Sequence, residues 1–165
     1  MALAPAITDL ELLKDHPALA VLLAWNKAGV EAAKFDHDEI TVWVPAGMIV
    51  QACSVLREGK DFPCNFLEDV TCVDWYPSEP RFQVTYHILS HSLKERLRLC
   101  VMVDTLDTEV ESITPEWPSA NFYEREVWDL FGVRFGGHPN LRRIMMPDQW
   151  EGHPLRKDYP VEGYR

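Results

Sequence analysis

Residues 82–103 read FQVTYHILSHSLKERLRLCVMV, and this stretch decides the fold. Phe82, Val84, Tyr86 and Ile88 alternate with Gln83, Thr85 and His87; Leu97, Leu99, Val101 and Val103 alternate with Arg96, Arg98 and Met102. A period of two sends successive side chains to opposite faces of a strand, so the two runs, joined by the polar connector 91–94, predict an antiparallel hairpin with one buried face. Such a sheet needs a second layer on its apolar side.

Upstream of the hairpin the sequence supplies that layer. Thr8 with Glu11 three residues later is a capping-box pattern, and Pro17 breaks or restarts a helix that continues through Ala18, Val21, Leu22 and Trp25 towards Gly29. Residues 30–35 and 40–44 predict a second hairpin. Pro45 suits the first turn of a helix carrying Ile49, Val50, Cys53 and Leu56 and ending at Gly59, and a strand follows at 67–75. Downstream, Pro118-Ser119 opens a helix to Phe131, with Gly132 as the left-handed residue beyond it. Its apolar stripe is Ala120, Tyr123, Val127, Leu130 and Phe131. Glu124, Arg125, Glu126 and Asp129 stand off that stripe, with Arg125 and Asp129 one turn apart, and form a charged face turned towards something other than the core. The predicted class is α+β: a mixed or antiparallel sheet with helices packed on one face in residues 1–133, followed by an extended C-terminal strap in 134–165.

Composition bounds what such a domain does. The chain has 165 residues and a formal net charge of −10, which averages an acidic body (residues 1–133: 10 basic, 22 acidic) and a mildly basic tail (134–165: six basic, four acidic). The longest apolar run, 18–25, is far short of the roughly 20 residues needed to cross a bilayer, and residues 1–5 carry no basic n-region, which argues against a transmembrane helix and a signal peptide. Cys53, Cys64, Cys72 and Cys100 are scattered without a C-x-x-C pair, against a disulfide framework, a zinc ribbon or an iron–sulfur cluster held by this chain. Glycine-rich phosphate loops, G-x-S-x-G and H-E-x-x-H are absent.

In the tail a short pattern occurs twice, fifteen residues apart: Gly137-His138-Pro139-Asn140-Leu141-Arg142-Arg143 and Gly152-His153-Pro154-Leu155-Arg156-Lys157. Four of the eight glycines and four of the twelve prolines fall in these last 32 residues, leaving little room for a helix or a central strand. Each copy is a flexible Gly, a His held extended by the following Pro, an apolar anchor and two cations. The anchors Leu141, Ile144, Met145, Met146, Trp150, Leu155 and Tyr159 are too many for a disordered linker. They predict a strap lying on another protein surface, its Arg forks paired with carboxylates there and little of it in this domain's own core.

The segments NFYEREVWDLFGVRFGGHPNLRRI (121–144) and PDQWEGHPLRKDYP (147–160) together resemble the signature of the C subunit of the proton-pumping NADH–quinone oxidoreductase, respiratory complex I. The weaker likeness of residues 66–74 and 110–119 to the same family is collinear with it. The resemblance implies a hydrophilic peripheral-arm subunit that is part of an enzyme complex but has no active site of its own. FMN, iron–sulfur clusters, NADH and quinone would belong to partner subunits. The implied partners are chiefly the large, hydrogenase-like D subunit and the cluster-bearing B subunit. The implied location is the cytoplasmic face of the bacterial inner membrane, or the matrix side in an organelle, with membrane association through the complex only. Carried over by position, Glu124, Arg125, Glu126, Asp129, Gly132, His138, Pro139, Leu141, Arg142 and Arg143 match the first block of an interface used in assembly. Trp150, Gly152, His153, Pro154, Leu155, Arg156, Lys157, Asp158 and Tyr159 match the second. The resemblance leaves open the equivalent component of a ferredoxin-dependent plastid or cyanobacterial complex, a coenzyme F420 dehydrogenase or a membrane-bound hydrogenase.

Two other classes compete on the residues themselves. An enzyme in its own right would rest on His138 or His153 with Glu124, Glu126 or Asp129, but no metal-like spacing links the histidines. Nucleic-acid binding would rest on Arg142, Arg143, Arg156 and Lys157, a small footprint on a chain of net charge −10.

Overall fold

The computed structural model describes residues 6–163; residues 1–5, where a basic n-region would stand, and the last two residues of the tail lie outside the described residues. In chain order the elements are α1 (Leu10–Leu13), α2 (Pro17–Trp25), β1 (Ala32–Asp36), β2 (Glu39–Trp43), α3 (Ile49–Glu58), β3 (Phe66–Asp74), β4 (Phe82–Ser90), β5 (Glu95–Val103), β6 (Glu109–Glu111), α4 (Ala120–Phe131) and β7 (Arg134–Gly136). The architecture is α+β, as the alternation predicts.

Strands β1 to β5 form a mixed sheet in the order β1-β2-β5-β4-β3, antiparallel except for the parallel β2–β5 pair. The first hairpin turns at His37 and Asp38, both with positive φ (55° and 61°), as a two-residue turn between right-twisted strands requires. Register lines the apolar positions into rows across the sheet: Phe35–Ile40–Leu97–Ile88–Leu67, then Ala33–Val42–Leu99–Tyr86–Val70, then Val101–Val84–Cys72. Leu19 and Leu22 of α2, Ile49, Ala52, Cys53 and Leu56 of α3, and Ala120 and Val127 of α4 bury themselves in the same core. A fourth row, Val103–Phe82–Asp74, ends on a carboxylate.

Two local expectations shift. The first helix is capped by Asp9, whose carboxylate accepts the Glu11 N–H at 2.9 Å, not by Thr8, because the shorter reach from Asp9 satisfies the first free donor. The second helix stops at Trp25, and the run to Gly29 is completed by a 3₁₀ turn whose start is capped by the Asn26 side chain. All four cysteines are buried and free, and burial pushes the Cys64 and Cys72 thiols up to about 12, far from a reactive thiolate. Among the described residues no helix is long and apolar enough to cross a membrane.

The small parallel pair β6–β7 brackets α4. Gly132 ends that helix in the left-handed region at φ 80°, its N–H bonded to the Trp128 carbonyl, and turns the chain into β7. That turn delivers the tail back onto the helix it has just left.

Candidate partner-docking site

Helix α4 carries Glu124, Arg125, Glu126 and Asp129 of the first block, and apart from Glu126 this charged face is not solvated. Glu124 and Asp129 are fully buried and Arg125 nearly so, while Glu126 alone of the four is exposed. The surface that meets this face is the chain's own tail and the 112–114 segment. Helical spacing correctly separates the two faces but carries no information on what covers the second one.

Each buried charge has a built environment. The Asp129 carboxylate accepts three consecutive backbone N–H groups, from Ile144, Met145 and Met146 at 2.8–2.9 Å, and its other oxygen takes the Arg143 guanidinium. Burial alone would raise its pKa, yet these donors hold it below the ordinary carboxylate value. Arg143 also donates to the carbonyls of Trp150 (2.7 Å) and Gly152 (3.0 Å), gathering the loop between the two tail blocks. Arg125 donates to the carbonyls of Arg142 and Arg143 at 3.1 and 3.0 Å rather than to Asp129 one turn away.

The repeated G-H-P pattern has a structural meaning. His138, its side chain fully buried, donates Nε2–H to the Asn121 carbonyl in the first turn of α4 (3.1 Å) and accepts the Asn140 N–H on Nδ1 (3.0 Å). His153 donates Nδ1–H to the Asp129 carbonyl in the last turn (2.9 Å). Burial lowers the pKa of both rings, consistent with the neutral tautomers these bonds require. One copy therefore pins each end of the same helix. At the C-terminal end the tail supplies what a helix lacks there: the Asp129, Leu130 and Phe131 carbonyls are met by His153, by the Leu155 N–H (3.0 Å) and by Arg156 (2.6 Å). A Cβ on Gly132 would lie 2.6 Å from the His153 ring and 2.7 Å from Arg156, so the approach needs glycine as well as the left-handed turn.

The second block is anchored on the sheet. Arg81, nearly inaccessible, forks between Asp74 (2.8 Å on each oxygen) and Asp158 (2.9 and 2.6 Å), and its guanidinium lies 4.9 and 4.8 Å from the Tyr76 and Phe82 ring centroids. Asp74 also accepts the backbone N–H of Lys157 at 2.8 Å. Burial opposes ionisation of Asp74, but Arg81 and the two backbone donors, Lys157 and Tyr76, keep its pKa well below the usual range. Sequence reasoning missed Asp74 and Arg81. The signal was present: Asp74 follows Val70 and Cys72 at the core-facing phase of β3, where a carboxylate demands a partner.

The strap expectation thus needs correction in one respect. Arg143, Arg156, His138, His153 and Asp158 bond within this chain, Arg156 through Nε, and Arg143 belongs to a buried pair. What the tail leaves outward is different. Ile144, Met145, Trp150 and Leu155 are exposed, as are Pro139 and the Arg142 and Lys157 side chains. Leu141 packs against the core, Gly152, Pro154 and Tyr159 are half-buried, and the Tyr159 hydroxyl donates to the Glu151 carbonyl at 3.2 Å. Beside Trp150 and Tyr159 runs an open groove of about 640 Å³.

Glu124 is the exception in this set. It accepts from Ser112 Oγ (2.6 Å) and the Ile113 N–H (2.8 Å), has the neutral His138 ring at 3.9 Å as its nearest basic side chain, and is pushed up to about 7 chiefly by burial, against those two bonds. A carboxyl whose pKa in the fold lies above its unfolded value favours the fold while protonated. Its contribution is fully present below about 4.5 and is lost as pH rises towards 7, a shift worth on the order of 3 kcal/mol. Glu124→Gln removes this slope, so the unfolding free energies of variant and parent should diverge in the variant's favour between pH 4.5 and 7. Parallel pH profiles in urea melts would contradict the burial of this carboxyl.

Among the described residues no group of three or more His, Cys, Asp or Glu side chains converges as a metal ion needs. The geometry of α4 and the tail defines a class of protein: a small α+β domain closed by its own C-terminal segment, which presents an apolar, partly cationic outer surface. Similarity to known proteins then gives the family. Residues 42–165 match the respiratory-chain NADH dehydrogenase 30 kDa subunit family, and the chain belongs to it. It is 43% identical over 162 residues to the C subunit of NADH-quinone oxidoreductase from Caulobacter sp. (strain K31), covering 98% of this chain and 72% of that one. The corresponding protein of Geotalea uraniireducens (strain Rf4) is 46% identical over 153 residues, covering 93% and 92%. Among solved structures, a trypsin-resistant fragment of Nqo5 superposes with a TM-score of 0.52 at 30% identity, over 62% of this chain and 83% of the fragment. A chain of the archaeal membrane-bound sulfane sulfur reductase shares the fold, with a TM-score of 0.73 at 24% identity over 92% and 85%.

Proposed function

We propose that this complex I component is non-catalytic and acts in assembly, docking its tail surface on the subunits that form the quinone site. The observation that supports this most is how the signature is spent. Its histidines, buried carboxylates and three of its arginines, Arg125, Arg143 and Arg156, hold the tail to α4 and β3, which leaves apolar anchors and the Arg142 and Lys157 cations directed outward. Such a surface fits a partner with an apolar centre and carboxylates at its rim. The partners are chiefly the large, hydrogenase-like subunit and the cluster-bearing one beside it. FMN, the iron–sulfur clusters, NADH and quinone are held by other subunits, and the assembled enzyme couples electron transfer from NADH to quinone to proton translocation. The chain lies at the cytoplasmic face of the inner membrane and attaches through the complex.

Arg142→Glu combined with Lys157→Glu tests this reading. Both side chains are exposed, so the purified chain should melt within about 0.5 kcal/mol of the parent per site. Its incorporation into detergent-extracted complex should fall several-fold. Incorporation equal to the parent sinks the docking role. Mass spectrometry of the same extract identifies the machine, because flavin- and NADH-binding partners are expected and a nickel-binding large subunit would be the wrong result.

A further inference from the structure

We propose that the groove beside Trp150 and Tyr159 is a receptor for an arginine side chain of the subunit on which the tail docks. Resting on the tail-docking reading, this gives one part of that interface its chemistry. The groove, of about 640 Å³, is lined by Trp150, Tyr159, Glu151 and Glu162 together with Pro147. Trp150 is 38% exposed, and both glutamates are exposed. The Tyr159 hydroxyl, bonded to the Glu151 carbonyl at 3.2 Å, fixes its ring as a wall. Among the described residues neither Glu151 nor Glu162 forms an ion pair.

The same chain shows what such a combination holds. The Arg81 guanidinium lies 4.9 and 4.8 Å from the Tyr76 and Phe82 ring centroids while it forks to Asp74 and Asp158. The Arg143 guanidinium lies 5.7 Å from the Trp128 ring centroid and pairs with Asp129. Both times an arginine joins an aromatic ring to a carboxylate. The ring quadrupole attracts the cation, and the planar guanidinium stacks while its fork of donors still reaches the carboxylate, which a lysine ammonium does less well. The groove offers the rings and the carboxylates, and among the described residues no arginine pairs with them.

Local charge points the same way. Residues 134–165 carry four acidic side chains against six basic. Asp158 is spent on Arg81, and two of the other three, Glu151 and Glu162, line this one groove. The outward cations Arg142 and Lys157 do not line it. The docking surface therefore has a basic part and an acidic, aromatic part, and its partner must answer both signs. A nucleic acid, an anionic lipid surface or a second copy of a −10 chain would bring like charge to the groove. A wholly apolar segment would strip water from two carboxylates and pair neither.

The test uses the assembled complex. A photo-crosslinking phenylalanine derivative at Gln149, an exposed residue of the same groove, should couple to an arginine-containing segment of one other subunit. Trp150→Leu keeps apolar bulk without an aromatic face and should reduce copurification of that subunit about 10-fold, the effect of 1.4 kcal/mol, whereas Trp150→Phe stays near the parent. Glu151→Lys with Glu162→Lys should reduce it at least as much, and each variant chain should melt like the parent. Parent-like copurification of Trp150→Leu or of the double lysine variant overturns the assignment, as does coupling at Gln149 to Arg165 of the same chain, to a second copy or to lipid. If Arg142→Glu with Lys157→Glu still lowers incorporation in that case, the tail-docking reading stands without it. Parent-like incorporation of both double variants removes both.

Discussion

Asp129→Ala lowers the unfolding free energy of the chain by about 3–5 kcal/mol, the cost of leaving one member of a buried charge pair alone. The carboxylate has no solvent exposure and serves four donors, so its removal orphans the Ile144, Met145 and Met146 N–H groups and the Arg143 guanidinium together. Asp129→Asn keeps one acceptor and should fall between variant and parent. The effect is pH-dependent with a defined sign. Because the folded-state pKa of Asp129 is depressed, its stabilisation is fully present above the ordinary carboxylate pKa near 4 and is lost as pH falls through the lower folded value. Chemical denaturation at pH 7 and in acid measures both. A loss below about 1 kcal/mol at pH 7, the value of an exposed pair, would mean that the tail does not rest on α4.

Arg81→Ala should cost a similar 3–5 kcal/mol, because it strands the buried Asp74 carboxylate. The two arms of its fork are unequal. In double-mutant cycles the Arg81–Asp74 coupling should exceed Arg81–Asp158, since the Asp158 side chain is 43% exposed and its share is screened by solvent. Hydrogen exchange gives a second readout: the Lys157 amide, bonded to Asp74, should lose protection in Arg81→Ala while the amides in the middle of β4 keep theirs. Equal couplings, or an unchanged Lys157 amide, would remove Arg81 from its role as the tail's anchor.

The sheet was legible because strand alternation is local. Val84, Tyr86, Leu97 and Leu99 declare their face by spacing alone, and the left-handed pair His37 and Asp38 falls where the sequence breaks between two apolar runs. Helix α4 was legible to its last residue, since Gly132 is both its C-terminal signal and the observed left-handed turn. The second face of that helix was not. Glu124, Arg125 and Asp129 look like a solvated face on a helical wheel, and it takes residues 112–113 from before the helix and the return of residues 138–156 after it to make them interior. Partners separated by 11 to 25 residues leave no periodic trace. The doubled G-H-P was the available clue. The two units meet the two ends of one helix, at the Asn121 carbonyl of its first turn and at the Asp129 carbonyl of its last.

The bond between the Lys157 N–H and Asp74 joins residues 83 apart, whereas the β4–β5 hairpin closes over a few. Loop-closure entropy orders these events: local hairpins form first, and contacts spanning half the chain come last. During synthesis α4 is made before the residues that finish its end, and Gly152 to Lys157 must emerge before its last carbonyls are met. The final step of folding therefore creates the surface that displays Arg142, Leu155 and Lys157. A chain halted short of that step keeps the last carbonyls of α4 unmet and lacks the surface that carries Arg142, Leu155 and Lys157.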